Sequence, residues 1–460
     1  MSTPESPFRV IVVGGGVAGL AASHVLYKAG IDHVVLEKRS TVAPQAGASI
    51  AIYPNGARIL SQLGCLDRVK KTTVRCGRWY ARLPSGKKII DSSFFRYLED
   101  NHGFGMLNIE RREFLEALYE TLPDKTRVKT NSPVHSITQD ENGVEVVLSN
   151  GEVYKGDLVL GCDGVYSMVK SIMWDYANKA SPGMITVKEK TAIKADYKCL
   201  VFMTTGIPEL GTSDLTVIHG KHYSHLFTIT PQRGYFFVYF KLDKPSTWPA
   251  VPRYTDQDAD DLARRVADQP MSETLTFAEI WKHRVRATVV NLEEGILDHW
   301  YFGRIALAGD SAHKVMPNMA LGGNASIESV SVLTNHLRQM LVDNHWKKPS
   351  SAEIEKALAR YQKERLERMK MMLKFSSITN EAQNWPTVWY RILSTWLIPL
   401  LPQRVLADNL GRIISSAPKL DFLEVGEFPT GRMPWKYTAN EDIKPSKSGY
   451  GGLSQLGLGV

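Results

Sequence analysis

The chain has 460 residues, 43% of them apolar and 23% charged, the proportions of an ordinary soluble globular protein with a sizeable core. Its 56 Lys and Arg against 48 Asp and Glu give a net charge of +8, but the basic residues are dispersed and form no arm that would track nucleic acid, so no nucleic-acid partner is expected. Cys65, Cys76, Cys162 and Cys199 lack CxxC spacing, which excludes a zinc ribbon or a thioredoxin-like motif and suggests reduced thiols of a cytoplasmic protein; no metal site is expected.

Residues 1–7 read as a polar tail. Phe8–Val13 is β-branched and apolar, as in a buried parallel strand. Helical periodicity runs from Ala18 to Ala29, Gly30 stops it, and His33–Glu37 is a second strand. Four glycines interrupt the apolar stretch and no basic region precedes it, so it belongs to the fold and is not a secretory signal. Between strand and helix lies Gly14-x-Gly16-x-x-Gly19, a spacing that permits a tight turn and close approach of a pyrophosphate to the helix N-terminus. Glu37 follows at the end of the next strand, where its carboxylate can accept hydrogen bonds from ribose hydroxyls. This unit predicts dinucleotide binding and does not by itself separate FAD from NAD.

Residues 72–100 and 185–285 differ in character. Short aromatic-rich stretches such as Tyr235–Leu242 alternate between Gly, Pro and Asp, which suits a mixed sheet forming a second layer. Asp157–Gly161 and Tyr301–Ala308 return to the buried-strand type, Asn324–Val342 and Glu353–Leu373 have helical spacing, and 441–460 is Gly/Ser-rich and expected to be disordered. Val388–Leu401 is apolar but contains Arg391 and Pro399 and is shorter than the ~20 residues that span a bilayer. A buried helix is expected there, with peripheral membrane contact as the alternative.

Two later motifs carry a resemblance. Gly161-Cys162-Asp163-Gly164-Val165-Tyr166-Ser167 resembles the GADGxxSxxR segment of class A flavoprotein monooxygenases, with Lys170 in place of the usual Arg. Gly309-Asp310-Ser311-Ala312-His313, followed by Pro317 and Gly322-Gly323-Asn324, is similar to that family's GDAAHxxxPxxGQGxN motif; Ala320-Leu321 departs from the usual Gly-Gln. The loop Gly47 to Gly56, which includes Ala51, and Arg111 resemble further cofactor-contacting segments, with Arg112 a lower-ranked alternative. Within the class, APQAGASIAIYPNGARIL, KADYKCLVF and GDSAHKVMPN look closest to fungal FAD-dependent epoxidases of the paxilline type.

The resemblance implies an α/β fold: a Rossmann-like FAD-binding domain (8–71, 101–184 and 286–345), an inserted mixed β-sheet substrate domain (72–100 and 185–285) and a C-terminal helical region (346–440). It implies FAD held by Gly14, Gly16, Gly19, Glu37, Gly47, Ala51, Arg111, Asp163, Asp310, Gly322, Gly323 and Asn324. NADPH or NADH would serve as transient reductant, with one atom of O2 delivered to an apolar substrate. Epoxidation of a terpenoid, prenyl or polyene double bond is the leading expectation. Aromatic-ring hydroxylation is the alternative, and a non-catalytic carrier of prenylated cargo the third reading. His313 is read as structural, and Tyr223, among the sheet aromatics, as the candidate catalytic residue.

Overall fold

The structure, a computed structural model, describes residues 7–45 and 47–437. The opening unit forms as its pattern requires. Arg9–Val13 and Asp32–Leu36 pair in parallel, with Val10 opposite His33 and Val13 opposite Leu36, and Val17–Ala29 crosses between them. Sequence-distant strands complete a six-stranded sheet in the order Tyr301–Phe302, Ile305–Leu307, Leu158–Gly161, Arg9–Val13, Asp32–Leu36, Val128–Lys129. The segment read as one strand over 301–308 folds back on itself, because the Gly303 turn makes Tyr301–Phe302 antiparallel to Ile305–Leu307.

The second layer is an eight-stranded sheet built around Lys194–Thr205, Arg233–Thr247 and Tyr223–Ile229, which pair antiparallel. Alternation of side chains decides what each face does. Phe202, Phe227 and Phe236 turn outward and pack with Phe277 beneath the helices Asp256–Arg265 and Phe277–Lys282. Leu226, Thr228 and Phe237, one residue out of phase, face the first layer. The expected boundary at 286 falls inside the strand Arg284–Ile296, which pairs along Lys194–Thr205 and so continues this sheet. Residues 72–100 supply the edge strands Trp79–Arg82 and Lys88–Ser92 but end in a helix, Phe94–His102.

Leu321–Asp343 and the 34-residue helix Ser351–Asn384 pack side by side and enclose Glu328, which is fully buried. Its carboxylate accepts from Arg365 and Arg368 and from Asn55 Nδ2, each at 2.7 Å. Burial pushes its pKa up, but Arg368 and Arg365 outweigh that and hold it at about 2. This buried cluster ties the helix Pro54–Leu63 to the C-terminal helices.

The helix expected over Val388–Leu401 forms over Val388–Leu400, with a wider π turn at Leu393–Leu397, but it is not buried: Val388 is 74% exposed, Trp396 70% and Leu400 80%. Pro399 offers no N–H to a regular ladder, and its anchorage includes Trp385 Nε1 donating to Ser394 Oγ at 2.7 Å. No helix among the described residues is long and apolar enough to cross a membrane. The tail expected to be disordered, 441–460, lies outside the described residues.

Candidate functional site

A cavity of about 640 Å³ opens between the two sheets. The glycine loop forms one end. Gly14 has φ +106°, and a Cβ on it would come 2.5 Å from the Cys162 carbonyl oxygen; one on Gly19 would come 1.8 Å from the Gly14 oxygen. Gly19 therefore lies behind the loop and lets helix and strand close up, rather than lining the cavity. A Cβ on Gly16 would meet nothing within 4 Å, so this position leaves space over the start of the helix, where unpaired N–H groups favour an anion.

Acceptors and charges surround that end. Glu37 Oε2 accepts from the Gly15 N–H at 2.6 Å and Oε1 from the Arg39 N–H at 2.9 Å, and each oxygen keeps a lone pair for a further donor. Asp163 Oδ2 accepts from the Met168 and Val169 N–H groups at 2.8 and 3.2 Å, while Oδ1 is buried with no partner. Burial raises the Asp163 pKa against the pull of these hydrogen bonds. Arg111 also lines the cavity and has no ion-pair partner among the described residues; burial lowers its pKa, opposed by Asp310. Arg112 instead pairs with Glu110 and Glu116.

Asp310 projects from the turn after Ile305–Leu307 and is ion-paired with Lys314. Burial lowers the Lys314 pKa, but Asp310 more than compensates and leaves it raised. Gly322 and Gly323 line the cavity at the start of Leu321–Asp343. Ala320, just before them, has φ +50°, a left-handed conformation at the place where the resembled motif carries Gly. Asn324 lies behind the wall: its Nδ2 donates to the Ala51 and Ala320 carbonyls, both at 2.9 Å, and its Oδ1 accepts from the Tyr53 N–H at 3.1 Å. It thus fastens the Ala51 loop, which lines the cavity, to the helix start. Gly47 acts from outside as well, its oxygen accepting from Arg286 Nη2 at 2.6 Å and its missing side chain leaving room for Arg111.

Tyr223, Lys170 and the structurally read His313 all lie outside the cavity lining. Tyr223 is placed away from the cavity, because it is in phase with His225 and Phe227 on the outward face, and its hydroxyl donates to Gln269 Oε1 at 3.1 Å. This corrects its candidacy as a catalytic residue. His313 is buried, hydrogen-bonded through Nε2 to Ser329 Oγ at 2.8 Å, and burial lowers its pKa to about 3. Lys170 donates to the Val165 carbonyl at 2.8 Å and lies over the Trp174 ring. Sequence reasoning missed Tyr53, Asn108, Thr228 and Lys314, all on the cavity wall. Lys314 follows directly on the GDSAH motif and was legible there. Tyr53 lies within the 47–56 segment already singled out, whereas Asn108 and Thr228 needed the strand phase.

This donor set fits FAD. The free Arg111 cation and the open Gly16 cradle suit a pyrophosphate, and Glu37 and the unpartnered Asp163 Oδ1 suit hydroxyl or amine donors. A family model described as FAD binding domain matches residues 8–376, so the chain belongs to that family. The FAD-dependent monooxygenase DEP2 of Alternaria brassicicola is 39% identical over 459 residues, covering 98% of this chain and 86% of that protein. The FAD-dependent monooxygenase atmM of Aspergillus flavus is 35% identical over 426 residues, covering 90% and 87%. Among solved structures, Klebsiella pneumoniae HpxO complexed with FAD and uric acid shares the fold, with a TM-score of 0.72 at 19% identity over 89% of this chain and 97% of that one.

This chain is an FAD-dependent monooxygenase. The bound flavin supplies the redox chemistry of oxygen activation. The groups that would orient it and set the charge around it are those lining the cavity, Arg111, Asp163 and Asp310 among them.

Proposed function

We propose that this monooxygenase uses NADPH or NADH to epoxidise a double bond of an apolar terpenoid, prenyl or polyene intermediate in fungal secondary metabolism. One observation carries the reading. The cavity wall contributed by Met106, Leu215, Leu226, Thr228 and Phe237, together with Asn108 and Tyr53, bears no charged side chain; Lys314, at the opposite edge of the eight-stranded sheet, lies beside Asp310. The charged lining residues Glu37, Lys38, Arg39, Arg111, Asp163, Asp310 and Lys314 come from the dinucleotide loops and the segments flanking them. Such a wall accepts an uncharged hydrocarbon at little desolvation cost and offers no carboxylate or imidazole to ionise a phenol.

In this reading Gly14, Gly16, Glu37, Arg111, Asp163, Asp310, Gly322 and Gly323 contact FAD, supported from behind by Gly19, Gly47 and Asn324. The six-stranded layer holds the cofactor, and the eight-stranded layer meets the substrate. The deciding experiment is mass spectrometry of a candidate alkene after incubation with enzyme, NADPH and isotopic O2. One labelled atom and loss of the alkene are expected. A labelled phenol formed from an aromatic analogue, with the alkene untouched, would replace epoxidation by ring hydroxylation.

The exposed Val388–Leu400 surface supports a second element of this reading, a cytoplasmic enzyme resting on the membrane that dissolves its substrate. Trp389, Ile392, Trp396, Leu397 and Leu400 are solvent-exposed together, beside Arg391 and Arg404. Interfacial tryptophans and flanking cations are what such contacts use. Flotation with anionic vesicles is expected for the native chain and lost in Trp396→Ser/Leu400→Ser; equal flotation of both would reject the contact.

A further inference from the structure

Hydrogen-bonding side chains on the uncharged wall are few, and one pair has unused capacity. Asn108 lies opposite Ala51 in the small sheet beside the cofactor loop, and Thr228 lies in the eight-stranded sheet. Asn108 Nδ2 donates to Thr228 Oγ1 at 3.3 Å, bridging the two sheets at the cavity wall. Having accepted, the Thr228 hydroxyl still has its proton to give, and Asn108 Oδ1 accepts from no described residue. The pair therefore presents at least one free donor and one free acceptor, and exchanging the amide nitrogen and oxygen leaves both kinds available.

Other wall groups are already engaged or stand apart from the pair. Asn318 is held by Ser376, donating to its carbonyl at 3.1 Å and accepting from its Oγ at 2.8 Å. Ser224 and Tyr239 lie one pleat beyond Leu226 and Phe237, buried and outside the lining.

We propose that Asn108 and Thr228 are specificity-determining residues that select an alkene bearing a hydroxyl group, an inference that rests on the apolar-alkene reading above. A hydroxyl satisfies both groups, since it donates and accepts. An ether oxygen satisfies only the donor, and a hydrocarbon strands both in a dry site. The pair positions the substrate and takes no part in bond making.

The test titrates the FAD-loaded enzyme with farnesol, farnesyl methyl ether and farnesene, following the visible absorbance of the bound flavin. Farnesol is expected to bind about tenfold more tightly than farnesene, with the ether between them. Thr228→Val should bring farnesol to within about twofold of farnesene at unchanged FAD content, and Thr228→Ser should restore the preference. Equal affinities for all three in the native enzyme, or a preference that survives Thr228→Val, would overturn this proposal and leave the apolar-alkene reading intact. Failure of all three to bind would remove both.

Discussion

Asp310 and Lys314 form an ion pair on the wall of the cavity, four residues apart along the turn that follows the strand Ile305–Leu307. The pairing neutralises the carboxylate, so an anionic cofactor bound in this cavity would meet no net repulsion from it, and it fixes the carboxylate's orientation. Asp310→Ala removes the acceptor and leaves the lysine unpaired. We expect the purified variant to keep its fold by circular dichroism and to carry less than about a tenth of the native FAD, a loss in the range of a charged hydrogen bond plus an uncompensated charge. A normal yellow preparation would show that Asp310 does not hold the cofactor.

The glycine loop predicts two different failures at neighbouring positions. An alanine at Gly16 meets no protein atom and projects into the space over the helix start. Gly16→Ala should therefore leave apoprotein stability within about 1 kcal/mol of native and weaken FAD binding at least about tenfold. Gly14→Ala combines φ +106° with a 2.5 Å clash against backbone, and should destabilise the apoprotein itself by roughly 3 kcal/mol or more. Urea unfolding of the two apoproteins distinguishes them; equal stabilities would contradict the geometry.

Ala320 holds a left-handed conformation at φ +50°, immediately before the helix whose first residues line the cavity. Ala320→Gly removes the Cβ that opposes this backbone, and we expect a gain of about 1 kcal/mol, read as a higher melting temperature of the apoprotein. A lower melting temperature would mean that the Ala320 methyl packs more favourably than the backbone suffers.

Acid should unfold this protein early. Burial lowers the pKa of His33, His102 and His219 to about 4 and of His225 and His313 to about 3. A histidine whose folded pKa lies below its unfolded value of about 6.5 binds a proton more readily when unfolded, so its contribution is fully present above that value and is lost as pH falls toward the folded pKa. Each should cost on the order of 1–2 kcal/mol by pH 5. Glu328, held at about 2, adds the same sign of change between about pH 4.5 and 2. The urea midpoint is expected to fall steeply between pH 7 and 5; a flat midpoint over that interval would contradict the buried neutral histidines.

The opening βαβ unit was legible because its signals are local. Val10 to Val13, the three glycines and the Gly30 stop lie within about one crossover's length, and each acts through its own backbone geometry. Val388–Leu401 misled for the complementary reason. Its apolar composition says that the segment avoids water, but only the neighbouring helices decide whether a partner surface exists, and here much of it stays exposed. Tyr223 and Thr228 show the same limit on one strand: a difference of phase sends one to Gln269 and the other to the cavity.

The sequence by itself determined the dinucleotide loop, the acidic acceptor at Glu37 and the Asp163 and Asp310 motifs, and with them the flavin class, since those residues act through turns and helix starts encoded nearby. Only the tertiary structure decided which sheet face lines the cavity, that Asn324 and Gly19 serve from behind the wall, and that Asn108 meets Thr228 across two sheets. Those facts depend on pairing between strands more than one hundred residues apart, and no local pattern carries that register.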